Sequence, residues 1–241
     1  MTPIKLSIPY AVYDTLFRDS YYFGFTKNDT ANINGFLNVL IPKLVEYRND
    51  LHLSILDNNN NNSKIAELIE ENIYKLYFNK FDFCDNGNVN ISLRIGKNNY
   101  NKFIQIHDVI SSRYNMDFTS FIRSLLVEYS NQRIFKREFL YYFNEVLTIK
   151  TAILEKRYCT FYTSEEKHYF IPLSIEQSPN NNKNFIVGYN TTDETCMVTP
   201  LSSIQQVIPS DHIGEYDEED CAFAQDCIDD YFSEEEYICS D

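Results

Sequence analysis

Tryptophan is absent from the 241 residues, and there are only 6 glycines. So few glycines argue against a glycine-rich phosphate loop, which needs backbone that can approach a ligand closely. The six cysteines (Cys84, Cys159, Cys196, Cys221, Cys227, Cys239) form no C-x-x-C pair, and no His stands at zinc-ligand spacing from them. They read as separate thiols of a reducing compartment. Met1–Tyr10 has no apolar leader pattern, so the chain is expected to be cytoplasmic. Apolar runs are short, broken for example by Asn38 and Pro42, which excludes a membrane span and a membrane partner. Catalytic patterns are missing as well. His52, His107, His168 and His212 have no Ser or Cys partner at a familiar spacing, and there is no G-x-S-x-G, H-E-x-x-H or Walker pattern. A non-enzyme without catalytic residues, metal or cofactor is therefore expected.

Basic charge is scarce overall, with a net charge of −14, but the deficit is local. Residues 1–137 hold 16 Lys/Arg against 14 Asp/Glu, residues 138–210 hold 5 against 8, and residues 211–241 hold none against 13. The body is near neutral and the acidity sits in the tail. A nucleic-acid partner is thus still open.

What the chain does have is an internal repeat. Ile4–Ile8 reads I-K-L-S-I and Ile91–Ile95 reads I-S-L-R-I, each the strict alternation of a half-buried strand. A helical segment follows each, with a Tyr five residues after the closing Ile (Tyr13, Tyr100). A second helix then ends on I-P-K-L-V-E-Y (Ile41–Tyr47) and I-R-S-L-L-V-E-Y (Ile122–Tyr129). In the later copy Phe118, Phe121, Ile122, Leu125, Leu126 and Tyr129 share one helical face, with Asp117 as N-cap. In the earlier copy Phe36, Val39, Leu40, Leu44 and Tyr47 do so, with Asn34 as cap candidate and a kink or break expected at Pro42. Between the copies lie an Asn-rich loop (Asp57–Asn62) and a spacer helix, Ser63–Phe78.

Each copy is strand, helix, helix. A lone strand leaves its backbone groups unpaired, so the two strands are expected to pair as an antiparallel ribbon. This resembles the ribbon-helix-helix family, over about residues 3–50 and 88–131. Further on, a helical pattern over 132–156 links to short strands near Tyr158–Tyr162, His168–Ser174, Phe185–Tyr189 and Cys196–Thr199, then a closing element at Leu201–Val207. Strands at that spacing point to a small barrel. The order is similar to a WYL domain, on Tyr158, I-P-L (Ile171–Leu173), N-F-I-V-G-Y (Asn184–Tyr189) and P-L-S-S-I (Pro200–Ile204). The name-giving triplet is replaced by Phe185-Ile186-Val187. Together these parts resemble the WYL-domain accessory proteins of type VI-D CRISPR loci.

The expected fold is thus α+β: tandem ribbon-helix-helix units (two-stranded antiparallel ribbon with helices), then a small SH3/Sm-like WYL β-barrel. The expected divisions are 1–56 and 88–131 for the two units, 57–87 for the loop and spacer helix, 132–156 for a linking helix, 157–210 for the barrel and 211–241 for the acidic tail.

The ribbon-helix-helix resemblance implies that outward ribbon residues read bases: Lys5, Ser7, Asn90, Ser92 and Arg94. A two-stranded ribbon fits the major groove, where Lys or Arg can donate to guanine and Asn can pair with adenine. The amides opening each second helix, near Asn34–Gly35 and Phe118–Thr119, are phosphate candidates, as are Lys97, Lys102, Arg113 and Arg123. The WYL resemblance implies a ligand or nucleic-acid face on the barrel. Its candidates here are Lys156, Arg157, Tyr158, Lys167, His168, Phe185 and Tyr189, with aromatic rings available for stacking. The Arg such barrels carry in the strand matching Met197–Thr199 is missing. Implied partners are single-stranded RNA or duplex DNA, a CRISPR ribonucleoprotein, and a second copy in a homodimer. The tail has Phe223, Cys227, Ile228, Tyr231 and Phe232 at amphipathic spacing and is expected to form a helix that docks on the body. Two functions follow as expectations: a nucleic-acid-associated accessory or regulatory protein, for a CRISPR effector or in transcription, or a protein-interaction inhibitor of the phage anti-CRISPR type whose acidic surface mimics nucleic acid.

Overall fold

The computed structural model describes residues 3–58, 87–113, 117–164, 166–190 and 195–238. The chain divides into two compact units, Met1–Arg133 and Ile134–Asp241. The expected spacer helix Ser63–Phe78 lies outside the described residues.

In the first unit, β1 (Ile4–Pro9) leads into α1 (Tyr10–Tyr22), a short hairpin of β2 (Thr26–Lys27) and β3 (Thr30–Ala31), and α2 (Ile33–Asn58). The second copy is β4 (Asn88–Leu93), α3 (Tyr100–Arg113) and α4 (Phe118–Ser130). β1 and β4 form a two-stranded antiparallel sheet, with Ile4 opposite Leu93, Lys5 opposite Ser92, Leu6 opposite Ile91 and Ser7 opposite Asn90. Leu6, Ile8 and Leu93 are buried on one face. The helices supply Leu16, Phe36, Leu40, Phe121, Leu125 and Tyr129 to the same unit's core. Burial of such side chains contributes about 1.5–3 kcal/mol each, which is why two half-buried strands can hold together here.

Four details differ from expectation. The second strand ends at Leu93, two residues before Ile95, and begins earlier, at Asn88. A hairpin that the residue pattern does not announce joins α1 and α2; Asn28 (φ 51°) and Asp29 (φ 57°) supply the two positive φ angles of a tight primed turn. The cap of α2 is Asn32, whose Oδ1 accepts from the Gly35 amide at 2.9 Å, rather than Asn34. Finally, of the kink or break expected at Pro42 the break is absent: α2 is one helix of 26 residues with Pro42 inside it. A proline there leaves the carbonyl four residues back without its helical donor. That carbonyl belongs to Asn38, and the side-chain amide of Asn99 donates to it at 3.0 Å.

Charged groups are also buried in this unit. Arg48 is 2% exposed and forms an ion pair with Glu128. Asp19 accepts a hydrogen bond from the Tyr129 hydroxyl at 2.7 Å. Burial pushes the Glu128 carboxyl up, against the opposing pull of Arg48. On α4, the expected cap holds: Asp117 Oδ1 accepts from the Ser120 amide at 3.0 Å and its Oδ2 from the Ser120 hydroxyl at 2.5 Å.

In the second unit, the expected single linking helix is two, α5 (Ile134–Tyr141) and α6 (Phe143–Glu155). Buried Glu138 on α5 accepts from the Asn184 backbone at 2.8 Å and its side-chain amide at 2.7 Å, while the Tyr142 hydroxyl at the junction donates to the Ser202 carbonyl at 3.0 Å. β5 (Arg157–Tyr162), β6 (Lys167–Gln177), β7 (Asn184–Asn190), β8 (Thr195–Pro200) and β9 (Gln206–Ile213) follow. All pairings are antiparallel, in the order β8-β7-β6-β5-β9. Among the described residues the expected small barrel is a five-stranded antiparallel sheet whose edge strands β8 and β9 are not hydrogen-bonded to each other. The segment read as a closing element is a 3₁₀ turn, Leu201–Ser203, followed by β9, which continues past residue 210. Gly188 on β7 leaves room for the Phe170 ring, which stacks on Phe161 at 4.3 Å.

The acidic tail forms α7 (Glu218–Ile238). Asp217 begins it, accepting from the Glu219 and Asp220 amides at 2.8 and 3.1 Å. Ala224, Ile228 and Phe232 pack against Phe185 and Val187 of β7, with Cys196 and Val198 of β8 alongside. The 4-residue spacing of the three tail residues is what puts them on one face.

Candidate nucleic-acid interface

The ribbon brings four of its five candidates together. Lys5 is opposite Ser92 and Ser7 is opposite Asn90, so the period of two places all four on the face away from Leu6, Ile8 and Leu93. Lys5, Asn90 and Ser92 are exposed and Ser7 is partly so. Arg94 stands one residue beyond the strand and is exposed.

Its backbone is nevertheless fixed. The Arg94 amide donates to Asn34 Oδ1 at 2.7 Å, and the Arg94 carbonyl accepts from Asn34 Nδ2 at 3.0 Å and Asn38 Nδ2 at 2.9 Å. Asn38 Oδ1 in turn accepts from the Gly96 amide at 2.9 Å. Two asparagines one turn apart on α2 therefore clamp the chain leaving β4. They hold the root of Arg94 while its guanidinium reaches solvent. The sequence does not mark either for this, since an Asn on a helix carries no sign of what its amide faces.

The helix openings are less suited to phosphate than expected. The Gly35 amide is taken by Asn32 and the Ser120 amide by Asp117. The Ser120 hydroxyl and amide hold the Asp117 carboxyl below its ordinary value of 3.8, so a phosphate at that end of α4 would meet a carboxylate. Lys97 and Lys102 are exposed and Arg123 partly so.

In the second unit the candidates fall into three places. Lys156 and Arg157 stand where α6 meets β5. Lys156 takes a left-handed conformation (φ 52°), and its Nζ lies 4.3 Å from the centre of the Tyr216 ring. Arg157 donates to Glu155 at 2.5 Å and lies 3.6 Å from Asp211. Lys167 and His168 are at the far end of β5, opposite Tyr162 and Phe161. Five residues of strand separate the two pairs, about 17 Å. There Lys167 lies over the Tyr162 ring at 5.8 Å and His168 is 3.4 Å from Glu166. Tyr158 is buried and stacks on the half-exposed Tyr169 at 4.9 Å. Phe185 and Tyr189, the third place, lie beneath α7, 5.3 Å from Phe232 and 6.0 Å from Phe223. Neither ring is open to a base while α7 is docked. On β8, where the resemblance implies an Arg, Cys196 and Val198 pack under the same helix.

A groove of about 410 Å³ runs between α6 and β9, lined by Leu147, Thr151, Glu155, Arg157, Ser210 and Asp211. Glu155 and Asp211 offset the charge of Arg157 there. Among the described residues, no three His, Cys, Asp or Glu side chains gather as a metal would need. No described helix is long and apolar enough to cross a membrane.

No protein-family model matches the chain, and no curated protein does. A crystal structure of a CRISPR Cas-related protein is similar, with a TM-score of 0.58 and 16% identity, over 91% of this chain and 66% of that one. The proteasome accessory factor B/C (PafBC) of Arthrobacter aurescens overlaps 53% of this chain and 23% of its own, at a TM-score of 0.28 and 10% identity. The first likeness is one of fold: the chain shares the arrangement of the CRISPR Cas-related protein over about two thirds of that protein's length.

Proposed function

We propose that the chain is a non-enzymatic accessory or regulatory protein of a CRISPR system that associates with nucleic acid, with tandem ribbon-helix-helix units and a WYL-type domain. The fold likeness to a CRISPR Cas-related protein supports the setting. The 3₁₀ turn before β9 and the pairing of β9 with the first strand of its sheet support the WYL-type reading. The observation that carries the nucleic-acid reading is the paired face of Lys5, Ser7, Asn90 and Ser92 with Arg94 clamped at its end. The test is a titration of labelled single-stranded RNA and duplex DNA at low and physiological salt. Arg94→Ala should cost about 1–3 kcal/mol and relax sequence preference. Unchanged affinity for every nucleic acid would show the ribbon to be structural.

One observation favours the second reading, a protein-interaction inhibitor with a nucleic-acid-like surface. Docking of α7 fixes Glu218, Glu219, Asp226, Asp229 and Asp230 on its exposed side. If that surface is the functional one, Asp226→Asn/Asp229→Asn/Asp230→Asn should abolish binding to a CRISPR ribonucleoprotein while Arg94→Ala does not.

A further inference from the structure

Helix α1 faces the core with Val12, Leu16, Asp19 and Ser20. The outer side of such a helix is ordinarily polar. Here it carries an unbroken row of rings at Tyr10, Tyr13, Phe17 and Tyr21, with successive centroids 6.4, 6.2 and 5.4 Å apart. Tyr10 is 55% exposed, Phe17 37% and Tyr21 41%. The row is held in place: each ring leans on the next, and the Tyr21 hydroxyl donates to the Asp29 carbonyl at 3.2 Å. Fixed, exposed aromatic side chains lose little entropy on association and are the residue type enriched at interface cores.

We propose that this row is a two-fold interface at which α1 packs antiparallel against α1 of a second copy of the chain. The charges argue for that occupant. Arg18 and Asp14 flank the row, form an i,i+4 pair at 2.8 Å and are 76% and 36% exposed. A two-fold axis between Thr15 and Leu16 sets Tyr10 against Tyr21 of the second copy. The same axis brings Arg18 beside Asp14 of the second copy, and does so twice. Each guanidinium then gains a second carboxylate. The spacing of the rings, three then four then four residues, keeps the row facing one partner helix along its length. The face belongs to the first unit and is independent of the nucleic-acid reading.

Sedimentation equilibrium of the full chain, over a concentration series at low and high salt, tests this. The expected result is a monomer–dimer equilibrium that persists at high salt, because apolar contact supplies most of it and screening relieves the repulsion between two acidic chains. Phe17→Ser should weaken dimerisation about tenfold or more. Arg18→Asp alone should weaken it, and Asp14→Arg/Arg18→Asp should restore it, with circular dichroism checking that each variant folds. A wild-type chain that stays monomeric to its solubility limit, or a dimer indifferent to Phe17→Ser, overturns the proposal. So does a Phe17→Ser variant that leaves the mass unchanged but loses affinity for labelled single-stranded RNA, which would make the row a base-stacking platform instead.

Discussion

The side-chain amide of Asn99 donates to the main-chain carbonyl of Asn38, the group that Pro42 deprives of its helical partner. A residue of the second strand-helix-helix copy thereby repairs a helix of the first.

This relationship makes a measurable claim. Asn99→Ala should destabilise the chain by about 1–3 kcal/mol, the cost of leaving a buried carbonyl unpaired. In a Pro42→Ala background the helix regains its own N–H donor, so the same substitution should cost much less. Urea unfolding of the four proteins gives the coupling directly; equal costs in both backgrounds would remove the assigned role from Asn99.

The Arg48–Glu128 pair should be expensive to break from either side. Arg48→Ala or Glu128→Ala should each cost about 3–5 kcal/mol, since the partner charge is left buried. The pH sign is specific. The folded Glu128 carboxyl lies above its ordinary value of 4.5, so its contribution is fully present below pH 4.5 and is lost as pH rises through the folded value. Glu128→Gln should flatten that part of the stability profile above pH 4.5.

Asp117 has the opposite sign. Its depressed carboxyl contributes above the ordinary value of 3.8, and that contribution is lost as pH falls through the lower folded value. Asp117→Ala should cost about 1 kcal/mol at neutral pH as a lost helix cap and much less in strong acid. Equal costs at both pH values would mean that the carboxylate is not the capping group.

The thiols should differ in reactivity. Cys221 is exposed, whereas burial raises the Cys159 thiol to about 11 and, with the neighbouring Cys227, raises Cys196 to about 12. The thiolate is the nucleophile, so at pH 8 an alkylating agent followed by peptide mass mapping should label Cys221 well before Cys159 or Cys196. Phe232→Ala should loosen α7 at a cost of about 3–5 kcal/mol and speed the labelling of Cys196 beneath it.

Much of the first unit could be read from its alternation and repeat. The period of two in I-K-L-S-I and I-S-L-R-I named the pair of strands, and the 3–4 spacing after Asp117 named α4 and its cap. What escaped was set by contacts distant in sequence. Asn34 reads locally as a cap, yet its amide faces Arg94, 60 residues away. Pro42 reads locally as a kink or a break, yet the helix runs through it and Asn99 supplies the missing donor. In the second unit the short strands were legible, but periodicity carries no information on whether a sheet closes. The aromatic set there divided for a related reason: alternation placed Phe185 and Val187 on one face, and only the docked α7 decides that this face is inaccessible.

The place of β9 and α7 in chain order has a consequence for how the second unit assembles. β5 is the first strand made, but one of its two partners is β9, the last. β7 is likewise made well before α7, which covers Phe185 and Val187. During synthesis both the open edge of β5 and the apolar face of β7 must wait for the chain's later segments, and loop closure over that distance is slow. Until then the nascent sheet exposes an unpaired edge and an apolar face, the two features that favour misassembly. The acidic residues of α7 thus arrive together with the side chains that complete the core.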